Sequence, residues 1–158
     1  MADGDAEIIE ELERLRSLTS SDFIALAPLN GNVNAHNIRW KYAIGFRNKR
    51  YQQMVIKSGQ GLAGSSLRLG RWVKVDDTHS DADAVRRSCP VMLAEQLQTA
   101  AVFPILTDSD HPRSWIRGLL FIGKRAQLRY EQEEILAVQE KLHVLAWHLR
   151  KHKGEIAK

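Results

Sequence analysis

The sequence is organised around the stretch Gly59-Gln60-Gly61-Leu62-Ala63-Gly64-Ser65-Ser66. Three glycines within six residues allow the backbone to turn sharply and to approach a ligand closely. The residues after the second glycine are expected to begin a helix, and the first N–H groups of a helix have no partner inside it. The stretch therefore predicts a turn and a helix start at which a small anion can bind.

The same stretch has the G-x-G-x-x-G pattern of dinucleotide-binding proteins. That function also requires a strand directly before the glycines, a parallel βαβ unit and an acidic residue about 20 positions later. The preceding residues 51–57 are predicted to be helical and no βαβ pattern follows, so we reject a dinucleotide site. A plain glycine-rich turn that joins two elements remains the alternative to an anion site.

Length and composition indicate one globular domain. The chain has 158 residues, of which 44% are hydrophobic and 27% are charged, values typical of soluble proteins. No apolar run is long enough to cross a membrane, and the N-terminus is acidic where a signal peptide is basic, so we expect a cytoplasmic protein without membrane contact. We expect a single domain over 1–158 with these parts: N-terminal helix 1–18, sheet and pocket 22–124, C-terminal helix 130–152 and basic tail 153–158.

Cysteine usage and charge exclude several functions. The single cysteine, Cys89, excludes an internal disulfide and a zinc site built on paired cysteines, and it is expected to be a small buried side chain. The net charge is +4, and the four basic and one acidic residues after His148 account for +3 of it. A basic tail on a nearly neutral body does not predict a nucleic-acid-binding surface.

The first part of the chain predicts a helix followed by a β-hairpin. Apolar residues at helical spacing predict an amphipathic helix at 6–18. Strands are predicted at 23–29 and 38–45, joined by a turn at 30–32. In the second strand the apolar side chains alternate, which places one set on the inner face: Ile38, Trp40, Tyr42 and Ile44.

Short elements are predicted around the glycine stretch. A helix is predicted at 47–56, a second at 62–69 that ends at Gly70, and a strand at 72–75.

The acidic segment 76–83 lacks the glycine and the closing glutamate of an EF-hand calcium loop. We therefore interpret it as a loop in which Asp81 caps a short helix that runs through Arg87. Pro90 is suited to the first position of the next helix because its missing N–H would have no helical partner there.

The second half predicts a hairpin and a long helix. Apolar strands at 99–106 and 116–123 are expected to pair in the sheet centre. The helix at 130–152 carries a broad apolar stripe: Ile135, Leu136, Val138, Leu142, Leu145, Ala146 and Leu149. His148 and His152 have the spacing of metal ligands, but no third ligand lies near, so we expect no metal site. Strands that meet mainly as hairpins predict an α+β fold with a largely antiparallel sheet.

No sequence pattern predicts catalysis. The chain contains no nucleophile elbow, no H-E-x-x-H and no Walker loop, and Cys89 has neither a predicted base nor a residue to orient one. We therefore expect no enzyme activity, no catalytic residue and no cofactor.

A binding pocket fits the residues better. The helix starts at Leu62–Ala63 and at Pro90–Val91, together with the Met92 amide, offer unpaired N–H donors. Trp40 supplies an apolar wall and one indole N–H. Because no Arg or Lys is predicted inside the pocket, a weakly hydrated monovalent anion is favoured over a phosphate. These residues do not identify the anion.

The chain resembles a GAF domain. Residues 59–77 are similar to the "GxGLAG … G.pv.v.D" core of that family, and residues 99–106 and 116–122 are similar to its "s.l.vPl … G.l.l" ending. The resemblance implies a GAF fold with a mostly antiparallel sheet of five or six strands. It also implies N- and C-terminal helices on one face, with short helices and loops that form a ligand pocket on the other.

Within that family the chain most resembles the stand-alone GAF nitrate receptors of bacterial nitrate- and oxygen-responsive two-component systems. The resemblance implies a nitrate ligand, a sensor histidine kinase as partner and a role in transcription regulation. Carried over to this chain, the nitrate site comprises Trp40, Leu62, Ala63, Pro90, Val91 and the adjoining Met92. Cys89 stands where the family often has an aromatic residue, and we include it in the pocket.

Other GAF functions fit the sequence less well. Free methionine sulfoxide reductases need several cysteines, the cyclic-nucleotide pattern is absent, and Cys89-Pro90 does not resemble a bilin attachment site. Two alternatives stay open: a different small ligand, or a ligand-free GAF domain that forms a homodimer through its first and last helices. The apolar stripes of those helices serve a monomer core equally well.

Overall fold

The computed structural model describes residues 2–29, 38–106 and 116–152, with the side chains of 5–29, 38–106 and 116–149. The helices are α1 (Ala2–Leu18), α2 (Gly61–Leu69), α3 (Ala82–Arg87), α4 (Pro90–Glu95) and α5 (Gln132–His152). The strands are β1 (Phe23–Pro28), β2 (Tyr42–Ile44), β3 (Val73–Val75), β4 (Thr99–Leu106) and β5 (Ile116–Lys124). A single 3-10 turn covers Arg50–Gln53.

The described strands form one five-stranded sheet in the order β2-β1-β5-β4-β3. Every neighbouring pair in it is antiparallel. The two longest strands, β4 and β5, pair along their whole length, and β5 lies in the middle. The predicted α+β fold with an antiparallel sheet is therefore confirmed, as is the predicted central hairpin.

Strand alternation divides the core into two layers, because successive side chains point to opposite faces of a sheet. On β1, Ile24 and Leu26 pack in the layer that contains the buried residues of α1 and α5. Their neighbours Phe23 and Ala25 pack in the layer that contains α2 and α4. The long terminal helices thus cover one face and the short helices cover the other, as the sequence predicts.

The predicted strand at 38–45 is only partly correct. Tyr42 packs on the helix-covered face, whereas Trp40 packs on the opposite face, although residues two apart in a regular strand share a face. The reason is that the segment before β2 pairs elsewhere: Ile56 donates its N–H to the Ile38 carbonyl at 2.8 Å, and Arg39 forms an isolated bridge with Val55. The chain therefore leaves the β1 pairing ahead of Lys41, whose N–H still donates to the Leu26 carbonyl at 2.9 Å.

The predicted helix at 47–56 is wrong beyond a single turn. Only Arg50–Gln53 is helical, and Met54 has the extended dihedral angles φ −87° and ψ 123°. The bridge from Val55 to Arg39 requires this extended backbone, so strand-like pairing overrides the local helical tendency.

Two side-chain predictions also need correction. Asp81 precedes α3 as predicted, but its side chain makes no capping hydrogen bond; instead the Asp76 side chain accepts the Thr78 N–H at 2.9 Å and organises the turn. Leu136, assigned to the apolar stripe of α5, is 47% exposed, because it projects away from the sheet.

The turn at 30–32, the loop between β4 and β5, the basic tail at 153–158 and the side chain of His152 lie outside the described residues. Across the described ranges, no helix combines the length and apolar character needed to span a bilayer.

Candidate anion-binding site

A cavity of about 40 Å³ opens on the face of the sheet that carries the short helices. Its lining comprises Trp40, Met54, Val55, Ile56, Gln60, Gly61, Leu62, Ala63, Cys89, Pro90 and Val91. Because one water needs roughly 10–15 Å³ on this scale, the cavity has room for about three waters or one small polyatomic ligand. All the predicted site residues line it except Met92, which is 1% exposed and lies in the core.

Three glycines allow the start of α2 to pack against the preceding turn and to line the cavity. Gly59 and Gly61 have φ of +85° and +67°, which favours glycine. A Cβ on Gly64 would lie 2.0 Å from the Lys57 carbonyl oxygen, so only glycine lets α2 pack against the preceding turn. That turn closes with a 2.7 Å hydrogen bond from the Gly59 N–H to the Gly64 carbonyl.

The start of α2 carries the unpaired donors of the site. The first helical hydrogen bond runs from the Gly64 N–H to the Gln60 carbonyl at 3.1 Å. Among the described residues, no backbone carbonyl accepts from the N–H groups of Gly61, Leu62 or Ala63. These amides add to the positive end of the α2 dipole beside the cavity.

Trp40 forms the opposite wall. Its side chain is 3% exposed and is held edge-on against Phe121, with ring centroids 5.5 Å apart and planes at 77°. No hydrogen bond joins its indole N–H to any residue in the described part of the chain. A buried indole normally finds an acceptor, so this donor is available to a ligand.

Cys89 lies at the cavity immediately before α4. Burial raises the pKa of its thiol, and the backbone N–H groups of Met92, Leu62 and Val91 only partly oppose that rise. The thiol therefore stays protonated and neutral near pH 7. A neutral sulfur leaves the neighbouring amides free of a competing negative charge, which is compatible with an anion in the cavity.

A buried ion pair anchors the far end of α4. Glu95 is 1% exposed, and its Oε1 accepts from Arg125 Nη2 at 2.6 Å and from the Arg47 N–H at 2.7 Å. Arg125 also donates to the carbonyls of Glu95 and Gly45 at 2.9 and 2.8 Å. This network joins α4 to the ends of β2 and β5 and so positions the Pro90–Val91 wall. Sequence patterns did not indicate the network.

The described lining residues include no Asp, Glu, Lys, Arg or His. In the same described part of the chain, no three metal-ligating side chains come together. The lining is thus an apolar surface with backbone amides, the Trp40 indole, the Gln60 amide and one thiol as its polar groups. This arrangement can hold a small ligand, and it contains no nucleophile paired with a base.

One wall of the cavity, formed by Met54, Val55 and Ile56, is not predicted from the sequence. They were placed in a predicted helix, although three consecutive apolar residues that include two β-branched side chains also favour a strand. That signal competed with the polar residues before it, which favoured a helix.

Comparison with known proteins places this geometry in a structural class. The sequence matches no protein-family model and no curated protein sequence. A solved structure of Staphylococcus aureus NreA, mutated in its nitrate binding site, is similar with a TM-score of 0.69 and 22% identity, over 89% of this chain and 96% of that one.

Two further structures are similar over nearly their whole length. The GAF domain of a two-component sensor histidine kinase from Bacillus halodurans has a TM-score of 0.69 and 16% identity, over 94% of this chain and 95% of that one. A type II free methionine-R-sulfoxide reductase from Thermoplasma acidophilum has a TM-score of 0.69 and 13% identity, over 95% and 94%. The chain has the GAF fold, and it resembles NreA among proteins of that fold.

Proposed function

We propose that this protein is a receptor for a small monovalent anion, with nitrate as its ligand and with no reaction of its own. The observation that carries the proposal is the start of α2, whose first amides have no carbonyl partner among the described residues, at a cavity of about 40 Å³ without a charged lining residue. Phosphates and other dianions usually recruit Arg, whereas a weakly hydrated monoanion can be held by amides and a helix dipole.

The choice of nitrate is supported by the similarity to NreA, a protein described as having a nitrate binding site. Trp40, Leu62, Ala63, Pro90 and Val91 would contact the anion, with Cys89 beside them and Met92 supporting from the core. No cofactor is needed for this function.

The signalling role is supported by the similarity to the GAF domain of a two-component sensor histidine kinase. We infer that a single cytoplasmic GAF domain, spanning 1–158, presents a different surface to a partner sensor histidine kinase when its cavity is filled. Anion occupancy would then control kinase activity and, through it, transcription, without contact to nucleic acid or membrane.

A thermal-melt panel tests the ligand. Nitrate, nitrite, chloride, sulfate and a cyclic nucleotide are each added at millimolar concentration. A ligand present at about 100 times its Kd adds roughly 2.7 kcal/mol of stability, which raises the Tm by several degrees. We expect this shift with nitrate and a smaller one or none with sulfate.

The absence of a nitrate shift at millimolar concentration would reject the receptor function, and a shift with the cyclic nucleotide alone would replace it. Because one similar structure is a methionine sulfoxide reductase, the same preparation is incubated with free methionine sulfoxide and a thiol reductant. We expect no methionine to form.

A ligand-free dimerisation domain is the second candidate. It is favoured by apolar side chains exposed on the two long helices: Ile9 (38%) and Leu18 (49%) on α1, and Leu136 (47%) on α5. A homodimer through these helices is also compatible with the receptor function, so the melt panel is needed to separate the two.

A further inference from the structure

Basic and acidic residues are unevenly distributed along this chain, which the net charge of +4 does not show. Residues 23–75 contain nine Lys or Arg residues and no Asp or Glu. This acid-free segment supplies most of the cavity wall, from Trp40 to Ala63. The lining is uncharged, yet the chain that forms it is the most basic part of the described protein.

The basic side chains of this segment are exposed, and all but one form no ion pair with a described residue. Eight of the nine form no ion pair with a described residue: Arg39, Lys41, Arg47, Lys49, Arg50, Lys57, Arg68 and Arg71. The ninth, Lys74, pairs with Asp76 at 2.9 Å. No carboxylate of a described residue therefore neutralises these eight positive charges by direct contact.

We call three of these cations the cationic rim: Arg39 and Lys57, which adjoin the lining residues Trp40 and Ile56 in sequence, and Arg68 of α2. Arg39 directly precedes Trp40 in the chain and bridges to Val55, and its Nη1 donates to the Gln53 carbonyl at 3.2 Å. Lys57 directly follows Ile56.

Arg68 projects from α2 back over the glycine turn. A Cβ built on Gly59 would lie 3.5 Å from Arg68 Cδ and 3.6 Å from its Nε. Gly59 directly precedes the lining residue Gln60. The guanidinium is thus held beside the turn that shapes the cavity, although Arg68 is not a lining residue.

Nearby carboxylates are engaged with other cations. Glu95 of α4 pairs with Arg125 at 2.6 Å, and Asp83 of α3 pairs with Arg86 at 2.6 Å. Asp76 is bound by Lys74. Within α2, α3 and α4 every carboxylate is thus paired with a cation, whereas the exposed Asp81, which directly precedes α3, forms no ion pair with a described residue.

We propose that the cationic rim attracts the anion to the cavity and supplies the charge stabilisation that the lining lacks. The inference rests on the proposed function, because it assigns a determinant of anion affinity to the same site. Clefts with low-dielectric walls focus the field of surrounding charges and raise the local concentration of an oppositely charged ligand. In a water-like dielectric, one unit charge roughly 10 Å from the anion changes the affinity by about twofold.

The test compares one charge reversal at the rim with the same reversal on the opposite face of the sheet. Lys57→Glu changes the rim, and Lys141→Glu, at a half-buried position on α5, is the control. Nitrate binding is measured by titration calorimetry at about 10 mM and about 500 mM ionic strength, where the Debye length falls from about 30 Å to a few ångströms. Sodium gluconate sets the ionic strength, because its anion is too large for the cavity.

At low ionic strength we expect Lys57→Glu to raise the Kd of nitrate about fourfold, since a reversal removes one charge and adds its opposite. At high ionic strength the difference from wild type should fall below about twofold. Lys141→Glu should match wild type under both conditions. The double variant Arg39→Glu/Lys57→Glu should raise the low-salt Kd about sixteenfold.

Equal Kd values for Lys57→Glu and Lys141→Glu at low ionic strength would overturn the proposal, as would a loss of affinity that persists at high ionic strength. Melting curves of each variant show whether it is folded, and Lys57→Gln, with about half the effect, replaces any variant that is not. If wild type itself gives no heat with nitrate, the proposed function fails. If wild type binds nitrate and the rim variants have the same Kd as Lys141→Glu, the receptor function stands and the rim does not act on the anion.

Discussion

The Trp40 side chain contributes apolar surface to the cavity wall and one indole N–H that donates to no described residue. Its ring packs against Phe121 while its edge lines the cavity. These two roles can be separated experimentally, because phenylalanine keeps most of the apolar surface and lacks the N–H. A phenylalanine substitution at this position therefore tests whether the indole hydrogen-bonds the anion or only packs in the core.

We predict that Trp40→Phe weakens nitrate binding about tenfold, the usual consequence of removing one hydrogen bond to a charged group. Titration calorimetry measures the Kd. Trp72→Phe is the control, since Trp72 stacks on Phe103 with ring centroids 5.5 Å apart in the other core layer. An unchanged Kd in Trp40→Phe would mean that the indole N–H does not contact the ligand.

At the scale of elements, the turn after β3 depends on one buried carboxylate. Asp76 is 2% exposed; burial alone would raise the pKa of its carboxyl, but hydrogen bonds from Thr78 and Lys74 lower that pKa well below its usual range. A carboxylate whose pKa is lowered in the folded state stabilises the fold above its unfolded pKa, which is about 3.9. That contribution is lost as the pH falls toward the native pKa.

We predict that Asp76→Asn lowers the free energy of unfolding by about 1–3 kcal/mol at pH 7, the cost of losing hydrogen bonds to a buried charged group. The difference from wild type should shrink progressively below about pH 4. Urea unfolding at several pH values measures it. Asp83→Asn is the control, because Asp83 is 82% exposed in its ion pair with Arg86 and should cost less than about 1 kcal/mol. A difference independent of pH would contradict the assigned ionised state.

At the scale of the whole molecule, the sheet separates the face that carries the cavity from a face covered by the two long helices. The outer surface of those helices exposes Ile9 and Leu136. Exposed apolar side chains on paired helices can serve a second copy of the chain, because a two-fold symmetric contact buries the same patch on both subunits. Such an assembly would leave the cavity face free for the anion.

We predict that the protein is a homodimer through α1 and α5, and that Leu136→Glu converts it into a monomer by placing a charge in the contact. Light scattering coupled to size-exclusion chromatography measures the mass. Leu69→Glu is the control, since Leu69 is 45% exposed on α2, on the opposite side of the sheet. A monomeric wild type, or a dimer that survives Leu136→Glu, would reject this interface.

Sequence alone determined the elements whose side chains repeat with a clear period. The stripes of α1 and α5 and the apolar runs of β1, β4 and β5 specified their own secondary structure, because each element must bury one face. The glycine stretch likewise predicted the α2 start, since φ of +85° and +67° at Gly59 and Gly61 favours glycine.

Tertiary structure alone decided the face on which Trp40 lies, the extended course of Met54 to Ile56 and the ion pair between Glu95 and Arg125. In each case the partner is distant in sequence: Arg39 pairs with Val55, and Glu95 with Arg125. Local propensity carries no information about such pairings, and the free energy gained by making them exceeds the small preferences of a short segment. The glycine turn was therefore predictable from the sequence, whereas the position of the other cavity walls was decided by tertiary packing.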